Sequence, residues 1–90
     1  MSKKAKFTDG DWISIGPFIR HEKTGADICL LNSSNKTEQE YNANTNLILA
    51  APKMYHALKA ITQYLSEYVF INDVPEYQQA ISALQKADGE

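Results

Sequence analysis

Residues 47–68, with the sequence LILAAPKMYHALKAITQYLSEY, carry the most regular pattern in the chain. Apolar residues recur there at alternating spacings of four and three positions, which places them on one side of a helix. The residues of this apolar stripe are Leu47, Ala51, Met54, Leu58, Ile61, Leu65 and Tyr68. The spacing therefore predicts helical structure whose apolar stripe faces the core of the protein.

Pro52 interrupts the stripe. It has no amide to bond the carbonyl of Ile48, and an interior proline costs a helix about 3 kcal/mol. We therefore expect two helices, over 37–50 and 52–70, with Pro52 in the first turn of the second. One kinked helix that keeps the stripe in phase is the alternative.

Helix-capping patterns delimit the rest of the helical region. Thr37 and Glu40 have the spacing of a capping box, in which each residue satisfies a polar group of the other. Asp73 is expected to cap a last helix, with Pro75 in its first turn. The inward side of that helix is predicted to consist of Val74, Tyr77, Ile81 and Leu84.

The first third of the chain reads as three short strands. Strand-forming residues occupy 12–15, 18–21 and 28–31, separated by turns that contain glycine. Gly25 can supply the positive φ that a reversal between the second and third strands needs. The fold class is therefore α+β: a three-stranded antiparallel sheet followed by two or three helices packed on one of its faces.

Length and composition indicate one small globular domain over residues 1–90. Within it we expect a flexible tail at 1–8, a β region at 11–31 and a helical region at 37–88. The 9 basic and 11 acidic residues give a net charge of −2, which argues against direct nucleic-acid binding. No apolar run is long enough to span a membrane, and the single cysteine excludes a disulfide framework, so the cytoplasm is the expected compartment.

Residues with reactive or metal-binding side chains form no catalytic, cofactor or metal motif. His21 and Cys29 lie on the two strands of the predicted hairpin, but Cys29 is flanked by Ile28 and Leu30 and is interpreted as a small core residue. The two histidines, His21 and His56, lack the spacing of metal ligands. The glycines do not cluster into a phosphate-binding loop. We therefore predict no enzymatic activity, no cofactor and no metal.

The tyrosines indicate a partner-binding surface. All five lie in the helical region, and tyrosine combines a large contact area with a polar tip, which suits protein interfaces. On the side of the helix away from the stripe, we predict a partner-binding surface made of Tyr55, His56, Lys59 and Tyr64.

The central segment also carries a family resemblance. Ala43-Asn44-Thr45-Asn46-Leu47-Ile48-Leu49-Ala50-Ala51-Pro52 resembles a helix motif of small phage and prophage accessory proteins. Gly10-Asp11-Trp12 is similar to the Gly-Pro-Trp-like start of those proteins, and Ala80-Ile81 with Lys86-Ala87 is similar to their end. The resemblance implies a mobile-element protein that acts in a bacterial cytoplasm, and it transfers no catalytic or cofactor residue.

Three functions are compatible with these observations. The leading expectation is a non-enzymatic phage protein that binds and inhibits a host protein or complex, such as a CRISPR–Cas defence system. An oligomeric sponge for a nucleotide or another small molecule is the first alternative. A structural homodimer that uses its apolar helical face is the second.

Overall fold

The computed structural model describes residues 6–32, 36–68 and 70–89. Three strands come first: β1 (Trp12–Ile15), β2 (Phe18–His21) and β3 (Asp27–Leu30). They are followed by a long helix, α1 (Glu38–Leu65), a 3-10 turn (Ile71–Asp73) and a second helix, α2 (Pro75–Ala87). The α+β class and the order of sheet before helices are as predicted. Residues 1–5 of the predicted tail lie outside the described residues.

The sheet is an antiparallel meander in the order β1-β2-β3. In the first hairpin Ile15 pairs with Phe18, and in the second Phe18 pairs with Leu30. Gly25 has a φ of 73° and donates its amide hydrogen to the His21 carbonyl at 2.9 Å, which closes the second turn. The predicted role of Gly25 in this reversal is confirmed.

α1 is one continuous helix of 28 residues that runs through Pro52. The expectation of two separate helices is therefore wrong, and the single-helix alternative holds. A proline removes only one backbone hydrogen bond from a helix of this length. The ring of Pro52 is also buried, and removing its carbon atoms from water offsets part of the cost.

The first helix begins as its sequence predicts, whereas the second does not. The Thr37 hydroxyl accepts from the Glu40 amide at 3.0 Å, which confirms the predicted cap. The Glu40 carboxylate accepts from the Thr37 hydroxyl at 3.3 Å, whereas a full capping box would have it accept from the Thr37 amide. At α2, the extended residue before the helix is Val74 and no side chain caps it. Asp73 belongs to the preceding 3-10 turn, so its predicted capping role is wrong. Pro75 needs no amide partner at the first helical position, which makes a side-chain cap less necessary.

The buried side of α1 is displaced by one residue from the predicted stripe. Buried and half-buried positions include Ile48, Pro52, Tyr55, Lys59 and Thr62. Since one residue turns a helix by about 100°, the true inward face points well away from the predicted one. Leu47, Met54 and Ile61 are 60%, 54% and 56% exposed. The expectation that they pack in the core is therefore wrong, whereas Leu58 and Leu65 are half-buried.

The chain forms two compact units that share α1. Of the described residues, 8–32 and 36–53 make up one unit, which holds the sheet and the first half of α1. Described residues 6–7, 54–68 and 70–89 make up the other, which holds the second half of α1 together with α2. The boundary follows Lys53, one residue after Pro52.

Replacing Pro52 with alanine tests whether the helix tolerates this proline or needs it. Restoring the Ile48 hydrogen bond recovers about 3 kcal/mol, and losing two buried ring carbons costs about 1.6 kcal/mol. We expect Pro52→Ala to raise the free energy of unfolding by about 1 kcal/mol, measured by urea denaturation. Ala51→Gly, one position earlier, should destabilise the same helix by a similar amount. A loss of stability in Pro52→Ala would contradict this account.

Candidate protein-contact surfaces

The sheet has one face turned towards the first half of α1. Ile19, in the central strand, is completely buried on this inner face. Trp12 lies on the same face at the edge, where it lines a cleft of about 430 Å³ with Leu49 and Ala50 of α1. The Trp12 indole donates to the carbonyl of Thr8 at 2.8 Å, which holds the ring in place.

The opposite face carries a row of exposed apolar side chains, which we call the outer sheet face. It consists of Ile15, Phe18 and Leu30, which are cross-strand partners and so project to the same side. Their side chains are 52%, 39% and 63% exposed. An apolar residue on each of three neighbouring strands makes this a contiguous patch rather than a scatter of single exposed residues.

Arg20 frames the outer sheet face. Its guanidinium carbon lies 4.9 Å from the centroid of the Phe18 ring, a cation–π geometry. Its Nε lies 3.1 Å from the Asp27 carboxylate, an ion pair whose angle is too poor for a hydrogen bond. The two contacts hold the Arg20 side chain over the patch.

His21 and Cys29 do not form the pair that their hairpin positions allow. The residue opposite Cys29 is Ile19, and Arg20 pairs with Asp27 across an irregularity in the ladder. His21 Nδ1 accepts hydrogen bonds from the amides of Lys23 and Thr24 at 3.2 and 3.1 Å, so its ring organises the turn. Cys29 is exposed on the edge strand β3, which corrects its interpretation as a core residue.

Three of the four predicted partner-binding residues form one aromatic cluster. The Tyr55 ring lies 5.2 Å from the His56 ring and 5.6 Å from the Lys59 ammonium. On its other side, the half-buried ring of Phe7 packs edge-on against Tyr55 with centroids 4.8 Å apart. Phe7 belongs to the predicted flexible tail and is instead part of this cluster.

Tyr55 is the buried member of this cluster. Its side chain is only 8% exposed, and its hydroxyl donates to the carboxylate of Asp88 at 2.7 Å. Asp88 is the residue that caps the C-terminus of α2. The hydrogen bond therefore ties the middle of α1 to the end of α2. His56 is exposed and Lys59 half-exposed, so these two side chains are the accessible part of the cluster.

Tyr64 lies on the opposite side of α1 from Tyr55, because nine residues correspond to two and a half helical turns. It is 63% exposed and contacts Tyr68, with the two rings 5.8 Å apart. The Tyr68 hydroxyl donates to the Tyr64 hydroxyl at 3.1 Å. Because ionisation of Tyr68 would lose this donor, the hydrogen bond holds the pKa of Tyr68 above its ordinary value.

Tyr64 and Tyr68 belong to an exposed line of residues that we call the apolar seam. Its members alternate spacings of three and four and carry no charge: Met54, Ala57, Ile61, Tyr64 and Tyr68. Apart from the small Ala57, which is also exposed, each is more than half exposed. The predicted core stripe contains Met54, Ile61 and Tyr68 of this seam, because an exposed seam and a buried stripe have the same periodicity.

An apolar groove runs beside the seam between α1 and α2. It has a volume of about 230 Å³ and is lined mainly by aliphatic and aromatic side chains. Leu58, Ile61 and Leu65 form its α1 wall, and Val74, Tyr77 and Ala80 stand on the α2 side. Ile61 therefore belongs both to the seam and to the groove.

Membrane-spanning and metal-binding features are absent from the described ranges, 6–32, 36–68 and 70–89. No helix in those ranges is both long and apolar enough to cross a membrane. Nor do those ranges bring together three histidine, cysteine, aspartate or glutamate residues that could hold a metal ion.

Comparison with known proteins identifies the chain as a small phage protein. A family model described as Salmonella phage P22 protein Y8K6 matches residues 1–90. The chain belongs to that family. No individual curated protein and no solved structure matches it significantly.

The hydrogen bond between Tyr55 and Asp88 gives a stability prediction. Tyr55→Phe keeps the ring contacts and removes only a buried hydroxyl, so we expect a loss of about 2 kcal/mol, typical of a hydrogen bond to a charged group. Tyr64→Phe is the matched control. Its hydroxyl is exposed, so its removal should change stability by less than about 0.5 kcal/mol. Chemical denaturation of both variants measures the difference, and equal effects would contradict the assigned role.

The same Tyr64→Phe variant tests the link between Tyr64 and Tyr68. Removing the acceptor frees the Tyr68 hydroxyl to bond with water, so the pKa of Tyr68 should fall towards its ordinary value. An NMR pH titration of the Tyr68 ring, compared with that of the wild type, measures the change. A Tyr68 titration that Tyr64→Phe leaves unchanged would show that the hydrogen bond does not set this pKa.

Proposed function

We propose that this phage protein is a non-enzymatic binding protein that inhibits a host component by direct contact through its outer sheet face. The observation that carries the proposal is the exposed row of Ile15, Phe18 and Leu30 beside Arg20. The host component that we propose is a protein complex of a bacterial defence system such as CRISPR–Cas.

The composition of this face supports protein binding. Aromatic residues and arginine are enriched at the centres of protein interfaces, where a few well-packed side chains carry most of the binding energy. Phe18 lies in the central strand with Ile15 and Leu30 on either side. A partner that covers this row would remove three apolar side chains from water around one aromatic anchor.

The arrangement of Arg20 supports a preformed contact. Its guanidinium is held between Phe18 and Asp27, so less side-chain freedom is lost when a partner binds. Arginine is also suited to hydrogen bonding with carboxylates, because its planar group presents several donors. An acidic side chain at the edge of the partner surface would complement it.

We also propose that the protein has no catalytic role. The contacts of its reactive side chains, His21 and Cys29, support this proposal. Nδ1 of His21 accepts two amide hydrogens of its own turn, which leaves that nitrogen occupied. Cys29 is separated from His21 by the register of the hairpin. A nucleophile without an adjacent base lacks the activation that covalent catalysis requires.

Family membership supports a host-directed role, since a phage replicates only inside its host. His56 and Lys59, on the accessible side of the aromatic cluster, are a second proposed contact with a host protein. Their role is separable from that of the outer sheet face, because each set can be substituted independently.

A plaque assay tests this function. Host cells with an active CRISPR–Cas system directed against a phage are made to express the protein, and plaques of that phage are counted. We expect the wild type to restore plaque formation and Phe18→Asp to fail. In a direct binding measurement with the purified effector complex, Phe18→Asp should weaken affinity roughly 30-fold, the effect of losing about 2 kcal/mol at an interface anchor.

Ser14→Asp is the matched control, because Ser14 is exposed on β1 but projects to the inner face next to Ile15. It should behave like the wild type. Wild-type protein that neither binds the complex nor restores plaques would refute defence inhibition. Equal activity of Phe18→Asp and the wild type would instead show that another surface makes the contact.

A further inference from the structure

The apolar seam is more regular than an incidental exposed patch. From Met54 to Tyr64, within α1, its members are three, four and three residues apart, close to the repeat that keeps a seam facing a second helix. Tyr68 follows the end of α1 and continues the seam through its contact with the Tyr64 ring. The inward side of α1 is formed by other residues, among them Tyr55 and Thr62, which are 8% and 4% exposed. Within one chain, α1 therefore packs through a different face, and the seam remains exposed to solvent.

We propose that a second copy of this chain covers the apolar seam, with the two α1 helices antiparallel and a two-fold axis at Ile61. This proposal concerns a surface other than the outer sheet face and goes beyond the proposed function. A two-fold contact must be complementary to itself, since the same surface is used by both copies. The seam meets that condition because its members are placed symmetrically about Ile61.

The symmetry can be followed residue by residue. Met54 and Tyr68 lie seven residues before and after Ile61, so an antiparallel partner places each opposite the other. The thioether of methionine packs favourably against an aromatic ring. Phe70, which is 79% exposed and follows closely after Tyr68, adds apolar surface at the same end.

The size of the side chains also matches. Ala57 lies near the partner's Tyr64 and Leu65 in this register, and its single methyl group leaves room for the larger ring. Leu58 stands opposite the partner's Tyr64 at the mouth of the groove between α1 and α2. Small residues facing large ones allow two helices to interdigitate without voids.

Charge is complementary in the antiparallel orientation. Lys53 precedes Met54 and Glu67 precedes Tyr68, so these two exposed charges stand at opposite ends of the seam. An antiparallel pair brings each Lys53 towards the partner's Glu67, and opposite charges across a contact favour that orientation.

Cysteine crosslinking tests the arrangement in a Cys29→Ser background, which removes the exposed native thiol. A disulfide forms only where two cysteine Cα atoms come within about 7 Å. We expect Ile61→Cys to crosslink to itself under mild oxidation. Met54→Cys and Tyr68→Cys should crosslink when the two variants are mixed, and each alone should not. Efficient self-crosslinking of Met54→Cys and Tyr68→Cys would overturn the antiparallel orientation.

Analytical ultracentrifugation of the full chain tests the association itself. The wild type should sediment at twice the mass of one chain. Ile61→Glu should raise the dimer dissociation constant by roughly 100-fold or more, because the residue occurs twice at the centre of the contact. Gln63→Glu, exposed on the same helix but away from the seam, is the charge-matched control and should remain dimeric.

Two results would overturn the proposal: a monomeric wild type, or an Ile61→Glu variant that dimerises as strongly as the wild type. Circular dichroism of Ile61→Glu distinguishes loss of association from loss of folding. Phe18→Asp should dimerise normally, so failure of the dimer and failure of host binding can be told apart.

Discussion

Tyr55 fixes which side of α1 faces inward. Its hydroxyl needs the carboxylate of Asp88, and its ring packs against Phe7, so turning the helix would break a buried hydrogen bond and an aromatic contact together. A methionine or isoleucine gains from burial but has no comparable directional requirement. These two contacts hold Tyr55 on the inward side of α1, while Met54 and Ile61 on the neighbouring face remain more than half exposed.

Sequence patterns predict the elements of this protein better than their orientation. The strands, the Gly25 turn and the Thr37–Glu40 cap each depend on residues close together in the chain, and these predictions hold. The inward face of α1 depends on Asp88, thirty-three residues away from Tyr55, and no local pattern contains that information. Burial of the Pro52 ring likewise reduces the cost of a proline within α1, and a penalty for proline alone does not include that contribution.

Sequence spacing predicts only part of the two candidate contact surfaces. Tyr55, His56 and Lys59 do meet, as the spacing of one helical turn requires, but Tyr55 is buried beneath the other two and Tyr64 lies behind them. The outer sheet face is not predicted by the sequence pattern, because a row across three strands depends on register rather than on neighbours in sequence. A local signal does exist in the alternation about the first turn of Ile13, Ile15, Phe18 and Arg20. It indicates a shared face only when the strand pairing is known.

The continuity of α1 also has a consequence for cooperativity. Starting a helix is costly because several residues must be ordered before the first hydrogen bond forms, whereas extending one is cheap. The two compact units draw on a single helix and therefore share a single nucleation event. A break at Pro52 would require a second nucleus, so order in either half of α1 favours order in the other. The free-energy cost of the single nucleus is met once for all 28 residues of α1.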